Sequence, residues 1–285
     1  MRNTGSSMRR AIVAAAALGA FLAASPSMAG SRILGTGAVS AIEGAAGGGL
    51  SPWAVLASTA SDDEIGITAS ATRAWLDDYR LTVKGASINL YDRLEFSIAR
   101  QTLELSTLGG ELEQDIYGAK ARLFGDVLYH PLGIWSAGVM HKRLVDGGVP
   151  TALGANDING TDAYLSASKL LFNAFFGRNV LLNGTLRNTA ANQGGLLGFG
   201  GDQGGRSWMA EGSLGVFVTP NWVVGTEYRQ KPDNLSVAQE DDWQSIYSAY
   251  FFNKHVSVTG AWLDLGDIAG LPSQRGGYLS LQAAF

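Results

Sequence analysis

From residue 53 onward, apolar and polar side chains alternate along many short segments of the chain. Between Met209 and Val218, every second side chain is Ala, Gly, Leu or Val, whereas the intervening positions include Glu211 and Ser213. A helix would scatter these two sets around its axis, but a β-strand places them on opposite faces. The alternation therefore predicts β-strands, each with one apolar face.

Thirteen segments show this alternation, and many of them are about ten residues long. That is the length a tilted strand needs to cross a lipid bilayer. After residue 30, no stretch reaches the roughly 18 to 20 apolar residues that a membrane-spanning helix needs. The predicted strands are 53–60, 65–74, 79–90, 94–105, 117–127, 133–142, 161–172, 179–189, 209–218, 221–230, 243–252, 255–264 and 276–285.

The connections between these segments also alternate, in their length. Counted back from the C-terminus, the long connections 265–275, 231–242, 190–206 and 143–160 are separated by shorter ones such as 253–254. Outer-membrane barrels have short periplasmic turns and longer external loops. We therefore predict an all-β fold, a transmembrane antiparallel up-and-down β-barrel with both termini in the periplasm.

The number of strands depends on the glycine-rich N-terminal segment 30–52. Bacterial single-chain barrels have an even number of strands, so thirteen segments require one more or one fewer. Weak alternation in Arg32–Ile42 offers a first strand, followed by an external loop, and we favour about 14 strands for this reason. The alternative is 12 strands, with 30–52 folded into the lumen as a plug. In both cases we assign 53–285 to the barrel.

Residues 1–29 have the pattern of a secretory signal peptide. Arginines at positions 2, 9 and 10 precede an apolar run from Ala11 to Ala24, and small residues lead up to Ala29. We expect cleavage after Ala29 and export at least to the periplasm. The alternative is an uncleaved membrane anchor, for which the apolar run is short.

The C-terminal segment carries a second targeting feature. Leu279, Leu281, Ala283 and the terminal Phe285 fall on one face of the last predicted strand. This arrangement resembles the closing-strand signal that the barrel-assembly machinery recognises. Together with the signal peptide it predicts the outer membrane of a Gram-negative cell. The expected partners are outer-membrane lipid, the barrel-assembly machinery and, for an open barrel, a small solute.

Composition narrows the chemistry that the chain can carry. The 285 residues include no cysteine, which excludes a disulfide framework. The net charge of −4 provides no strong attraction to nucleic acid, and we expect no nucleic-acid partner. His130, His141 and His255 show no metal-ligand spacing, so we expect neither a metal nor a cofactor.

Five stretches of the chain carry a family resemblance: Gly44–Trp53, Leu90–Gln101, Leu182–Gly201, Glu227–Trp243 and Asn253–Gly266. The fourth of them, EYRQKPDNLSVAQEDDW, is the most specific. Together they resemble a proteobacterial family of exported proteins that is catalogued as a domain of unknown function, with predicted outer-membrane β-barrels. The resemblance covers nearly all of the chain after the signal peptide. It implies a shared barrel but no activity, and it transfers no functional residue.

Charged residues within the strands are predicted to face the lumen, because a charge that faces lipid is costly. Both signs occur among them. Such a set can form salt bridges that fill a narrow barrel, or a field that orients a solute in an open pore. Twelve to fourteen strands lie between filled and open barrels, so both interpretations stand. The predicted lumen-lining residues are Lys84, Glu95, Lys120, Arg122, Asp126, Lys169, Arg187, Glu211, Glu227 and Arg229.

The function that this architecture predicts is a porin-like channel or transporter for small solutes. The alternatives are a structural or interaction barrel with a filled lumen, and an outer-membrane enzyme that acts on lipid. Such an enzyme would need His141 close to Ser136 and Asp126, and no known hydrolase motif surrounds them. We therefore expect no catalytic residues. At the level of the fold, the rival is a water-soluble periplasmic β-sandwich or barrel.

Overall fold

The computed structural model describes residues 34–107 and 109–285, and in this part of the chain twelve strands close into a barrel. A short hairpin of two-residue strands precedes them, β1 (Val39–Ser40) and β2 (Ala46–Gly47). The predicted signal peptide lies outside the described residues. The barrel strands are β3 (Ile65–Leu76), β4 (Tyr79–Leu90), β5 (Leu94–Leu105), β6 (Glu111–Gly125), β7 (Ile134–Leu144), β8 (Asn159–Phe175), β9 (Arg178–Thr189), β10 (Ser207–Thr219), β11 (Trp222–Arg229), β12 (Trp243–Phe251), β13 (Val256–Asp264) and β14 (Arg275–Ala284).

Each barrel strand pairs antiparallel with its neighbours in the chain, and β14 pairs with β3 to close the sheet. At this seam, the Ile67 N–H donates to the Phe285 carbonyl (2.7 Å) and the Phe285 N–H donates to the Ile67 carbonyl (2.8 Å). The closed sheet therefore has no free edge. The predicted antiparallel up-and-down barrel is confirmed, with the 12 strands of our alternative count.

The favoured count of 14 strands is wrong, because two predicted segments do not enter the barrel. The described part of Arg32–Ile42 forms only β1, and 53–60 contributes no barrel strand. The five side chains of 53–57 are at most 4% exposed, whichever way they point. A membrane strand leaves one of its faces to lipid. A segment that is buried on all sides belongs inside the barrel instead.

Alternate residues of each barrel strand face inward and outward. On β10, Glu211 and Ser213 are buried, whereas Trp208 and Leu214 are exposed. Large apolar side chains are exposed around the outer surface, as expected where a barrel meets lipid. Among them are Ile67, Ile98, Leu165, Leu186, Leu214, Ile246, Trp262 and Leu281.

The connections at the two ends of the barrel differ in length. The end with the long links is called the outer end here, and the end with the short turns is called the periplasmic end. One long link contains the short helix α1 (Gly148–Ala152). Within the described residues, no helix is long and apolar enough to cross a membrane. The four longest links at the outer end are 145–158, 190–206, 230–242 and 265–274.

Candidate functional site

The lumen is filled by the segment that precedes the first barrel strand. Residues 34–60, which we call the plug, start near Phe251 and Asn253 at the periplasmic end and lead back to Ile65, where β3 begins. Every residue from 38 to 58 is buried. The plug therefore forms a loop inside the barrel, with both of its legs at the periplasmic end.

Glycines allow the plug to lie directly on the wall of the barrel. Gly44 has a φ of +90°, and a Cβ on it would lie 2.8 Å from the Cβ of Ala99. A Cβ on Gly48 would lie 1.9 Å from Glu227 Oε1. A larger residue at Gly44 would displace the plug or distort the wall, and one at Gly48 would push away the Glu227 carboxylate, since real contacts are longer than this.

Glu43 joins the tip of the plug to three cationic side chains of the wall. Its carboxylate accepts hydrogen bonds from Arg187 Nη2 (2.8 Å) and Arg229 Nη2 (2.9 Å), and Lys142 Nζ is the third donor. All four side chains are at most 4% exposed. Hydrogen bonds between charged groups are roughly twice as strong as neutral ones. Glu43 is therefore the strongest polar attachment of the tip.

Two carboxylates of the wall complete the arrangement around Glu43. Asp162 lies 2.7 Å from Lys142 Nζ and 3.2 Å from Arg187 Nη1. Glu211 pairs with Arg187 and lies 3.6 Å from Arg229 Nε. These six residues, which we call the ion network, comprise three acids and three cations. The charges balance only while Glu43 is present, since the wall alone contributes three cations and two acids.

A second ion pair of the wall holds two parts of the plug that follow its tip. Glu95 accepts hydrogen bonds from the N–H groups of Ala46 (3.0 Å) and Ala57 (2.7 Å). Lys120 Nζ donates to the carbonyls of Ala46 (3.0 Å) and Val55 (2.9 Å), and to Glu95 Oε2 (3.1 Å). The wall thus satisfies backbone groups of the plug that would otherwise be buried without partners.

Glu227 binds the backbone of the plug through its carboxylate. Its carboxylate accepts the N–H groups of Gly49 (2.8 Å) and Leu50 (3.0 Å) and the hydroxyl of Ser51 (3.3 Å). Among the described residues, none forms an ion pair with Glu227. The absence of Cβ atoms on the glycines allows the backbone to reach this carboxylate.

The long links of the outer end cover the tip of the plug. Leu196, Leu235 and Ile268 of three different links form one apolar cluster with Ile42 and Leu50 of the plug. A small apolar cavity of about 30 Å³ remains in this layer. It has room for one or two water molecules.

A buried ion pair lies within this outer cover. Lys231 Nζ is 3.4 Å from Glu240, whose carboxylate accepts two hydrogen bonds from the Gln193 N–H (2.8 and 2.9 Å). Burial raises the pKa of Glu240 to about 7, although Lys231 opposes this shift. Burial also lowers the pKa of Lys231. The cover is therefore sensitive to proton uptake close to neutral pH.

Most of the residues predicted to line the lumen do face it. The structure brings six of them together around the plug, and three of these belong to the ion network. The six are Glu95, Lys120, Arg187, Glu211, Glu227 and Arg229.

The other four predicted lumen residues lie elsewhere. Lys84 is exposed on the outward face of β4. Lys169 also follows the outward set of its strand, and its Nζ reaches turn carbonyls at the periplasmic end. Asp126 lies in that turn, and Arg122 pairs with Asp92 at the periplasmic rim. Long cationic side chains tolerate an outward position because their charged ends can reach the interface.

Sequence reasoning missed three members of the ion network, Glu43, Lys142 and Asp162. The signal for Lys142 and Asp162 was available, because their strands alternate cleanly and these positions fall on the inward set. Glu43 is the single charged residue of the plug. A buried charge of this kind requires partners, and the inward cations could have supplied them.

The residues considered for a lipid-acting enzyme do not come together. His141 faces outward and its Nδ1 contacts Thr161 Oγ1 (3.0 Å). Ser136 is buried in the lumen and donates to the Ala54 carbonyl of the plug. Asp126 caps a turn at the periplasmic end. Hydrolysis would need these groups within hydrogen-bond reach of one another.

Fold and lumen together define a transmembrane β-barrel whose own N-terminal segment occupies its interior. The chain belongs to the family described as "Protein of unknown function (DUF3034)", whose model matches residues 36–282. This confirms the resemblance noted in the sequence. No curated protein shows significant similarity to the chain.

Several solved outer-membrane proteins are similar to the barrel in their fold. Omp33 from Acinetobacter baumannii is 10% identical with a TM-score of 0.47, over 79% of this chain and 100% of that one. The KdgM porin is 10% identical with a TM-score of 0.47, over 76% and 99%. The NanC porin is 9% identical with a TM-score of 0.45, over 77% and 98%. At 9–10% identity, the similarity concerns the fold alone and does not extend to a substrate or an activity.

Proposed function

We propose that the protein is a gated channel of the Gram-negative outer membrane, closed by the plug and open to small solutes when the plug leaves the lumen. The observation that carries this proposal is the polarity of the wall behind the plug. A permanently filled barrel can be packed with apolar side chains, whereas small hydroxyl groups suit a lumen that becomes hydrated. Buried inward hydroxyl residues include Thr72, Ser87, Ser97, Ser136, Ser166, Ser168, Thr185, Ser213, Ser245, Thr259 and Ser280.

The ion network supports a preference for small anions. Within the ion network, the loss of Glu43 leaves Lys142, Arg187 and Arg229 with only Asp162 and Glu211, a local excess of one positive charge. A solute carboxylate or phosphate replaces the plug carboxylate in such a site, since guanidinium groups bind both well. Rings of cationic side chains select for anions in other pores.

The first test is a disulfide that locks the plug, in a protein that otherwise has no cysteine. Ala54 and Ser168 are both short, and the Ala54 N–H donates to Ser168 Oγ (3.0 Å). We expect A54C/S168C to give no unit currents in planar bilayers when oxidised and to recover them on reduction. The matched control, T72C/S280C, links two barrel strands to each other and not to the plug, because these hydroxyls lie 2.7 Å apart across the β14–β3 seam.

The second test removes residues 34–60 altogether. We expect this variant to show stable unit currents, with a reversal potential in a salt gradient that indicates anion selectivity. The wild-type protein should open rarely under the same conditions. A deletion variant that still shows the gel mobility shift of a folded barrel, and yet stays silent, would argue against a channel.

A deletion variant that is folded but silent would favour a structural barrel with a filled lumen. The complete burial of residues 38–58 and the apolar cover at the outer end support this candidate. It predicts that deletion of the plug lowers the stability of the barrel and opens no path for ions.

A further inference from the structure

The lipid-facing surface of β4 and β5 is apolar over its periplasmic half only. From the periplasmic end, the outward residues of β4 are Leu90, Ile88 and Ala86, followed by Lys84, Thr82 and Arg80. Those of β5 are Leu94, Phe96 and Ile98, followed by Arg100, Thr102 and Glu104. On β10, by contrast, outward residues are apolar from end to end: Val218, Val216, Leu214, Gly212, Ala210 and Trp208.

The first charged residues on this surface lie below the outer interface of the bilayer. Lys84 is six positions from Leu90, and Arg100 is six positions from Leu94. Six residues of a tilted strand rise by about 15 Å, whereas the apolar band of a barrel is about 25 Å tall. Both side chains therefore start in the outer half of the bilayer and can extend upward to the lipid headgroups.

The protein neutralises only one of these two cations. Lys84 and Arg100 lie directly opposite each other on adjacent strands, an arrangement that is unfavourable for like charges. Arg100 makes two hydrogen bonds with Asp115 (2.6 and 2.8 Å), whereas Lys84 has no ion-pair partner among the described residues. One positive charge is therefore left in an environment of low polarity, which an external anion would stabilise.

The shape of the surface fits an amphiphilic ligand. A groove of about 310 Å³ runs past Lys84, Arg100 and Asp115, and its other lining side chains include Ala86, Ile98 and Tyr117. The charged lining lies towards the outer end and the apolar residues lie towards the bilayer centre. A headgroup phosphate and an acyl chain have the same order in the outer leaflet.

We propose that this surface, which we call the lipid groove, binds the phosphate of an anionic lipid through Lys84 and Arg100. The phosphate lies between the two cations and relieves their repulsion, while Asp115 keeps the Arg100 guanidinium in place. An acyl chain of the same lipid covers Ile98 and Ala86. The occupant comes from the membrane itself, so the site works whether or not the lumen opens.

Native mass spectrometry of the purified protein in detergent tests this proposal, with phosphatidylglycerol as the probe and phosphatidylcholine as the neutral reference. We expect wild-type protein to retain phosphatidylglycerol in preference to phosphatidylcholine, and K84Q/R100Q to retain it about tenfold less. The matched control is R275Q. Arg275 also faces outward, is bound to Asp264 (2.8 Å) and has the same 55% side-chain exposure as Arg100.

Three results would overturn the proposal. One is equal retention of phosphatidylglycerol by wild-type and K84Q/R100Q protein, both folded by the gel mobility shift. Another is displacement of the lipid by millimolar inorganic phosphate, which would identify a site for the free anion. The last is a dimer that K84Q/R100Q abolishes, which would show that a second copy covers this face.

Discussion

Two carboxylates of this protein, Glu43 and Glu104, show how much the surroundings of an ion pair matter. Glu104 lies 3.9 Å from Arg73 on the outer surface, and both side chains are more than 40% exposed. Exposed pairs of this kind contribute about 0–1 kcal/mol. Glu43 has three cationic partners inside the lumen and almost no contact with water. Removal of one member from a buried set leaves the others without compensation.

We therefore expect Glu43→Gln to destabilise the folded protein by about 3 kcal/mol, because a buried positive charge loses its partner. Urea unfolding in detergent micelles, followed by tryptophan fluorescence, measures this change. Glu104→Gln is the control and should change the free energy of unfolding by less than about 1 kcal/mol. Equal effects of the two substitutions would show that Glu43 does not anchor the plug.

The pair of Glu240 and Lys231 predicts a dependence on pH. Since burial raises the pKa of Glu240 to about 7 from an ordinary value of 4.5, the folded protein keeps a proton that the unfolded chain releases between these values. The free energy of unfolding should therefore fall as pH rises from 4.5 to 7, and this contribution should be constant above 7. Circular dichroism during urea unfolding across this range measures the slope.

Glu240→Gln removes the titrating group and should flatten that slope. Asp202→Asn is a suitable comparison, since Asp202 lies in a neighbouring outer link and hydrogen bonds lower its pKa. A wild-type slope that survives Glu240→Gln would assign the pH dependence to other groups.

At the scale of single elements, β14 carries the last contacts that close the barrel. Leu279, Leu281, Ala283 and Phe285 follow one another on its outward side, and the Phe285 ring stacks on His255 with centroids 5.6 Å apart. Phe285 also holds the seam through its backbone. These positions are the ones that the sequence predicts for recognition by the barrel-assembly machinery.

We expect Phe285→Ala to reduce insertion in cells several-fold, with little effect on the stability of barrels that have formed. The backbone hydrogen bonds of the seam survive the substitution, whereas the aromatic end of the predicted recognition signal does not. The folded fraction in membrane pellets, read from gels without heating, measures this. Tyr250→Ala removes another outward aromatic ring and should insert normally.

The barrel strands were predictable because lipid and lumen impose a strict period of two on them. All twelve lie close to predicted segments, from Ile65–Leu76 to Arg275–Ala284. A plug was predicted only as the alternative for 30–52, and its extension to residue 60 was missed, because the plug obeys a different requirement. Its residues are buried on all sides, so apolar residues such as Val55 and Leu56 occur in succession and look like part of a strand.

The ion network was predictable only in part, for a related reason. Arg187, Glu211 and Arg229 follow from the alternation of their strands. Glu43 does not, because no periodic rule applies to a segment that folds irregularly against a wall. Lys84 was wrongly predicted to line the lumen. Every charged residue of a strand was assumed to face inward, whereas Lys84 faces outward.

For the whole molecule, the exposed apolar surface predicts behaviour that a water-soluble β-sandwich would not show. We expect the protein to remain in the membrane pellet after carbonate extraction, and to migrate faster on detergent gels before heating than after it. Closed barrels resist detergent because every strand is paired on both sides. Release as a soluble monomer without any amphiphile would contradict the membrane assignment.

The path of the plug has a topological consequence for assembly. Both legs pass through the same mouth of the barrel, close to Leu34 on one side and Ile65 on the other. A loop inserted in this way is not threaded, so it can be withdrawn or reinserted without separating a single pair of strands. The plug can therefore enter the interior after all the strands have paired.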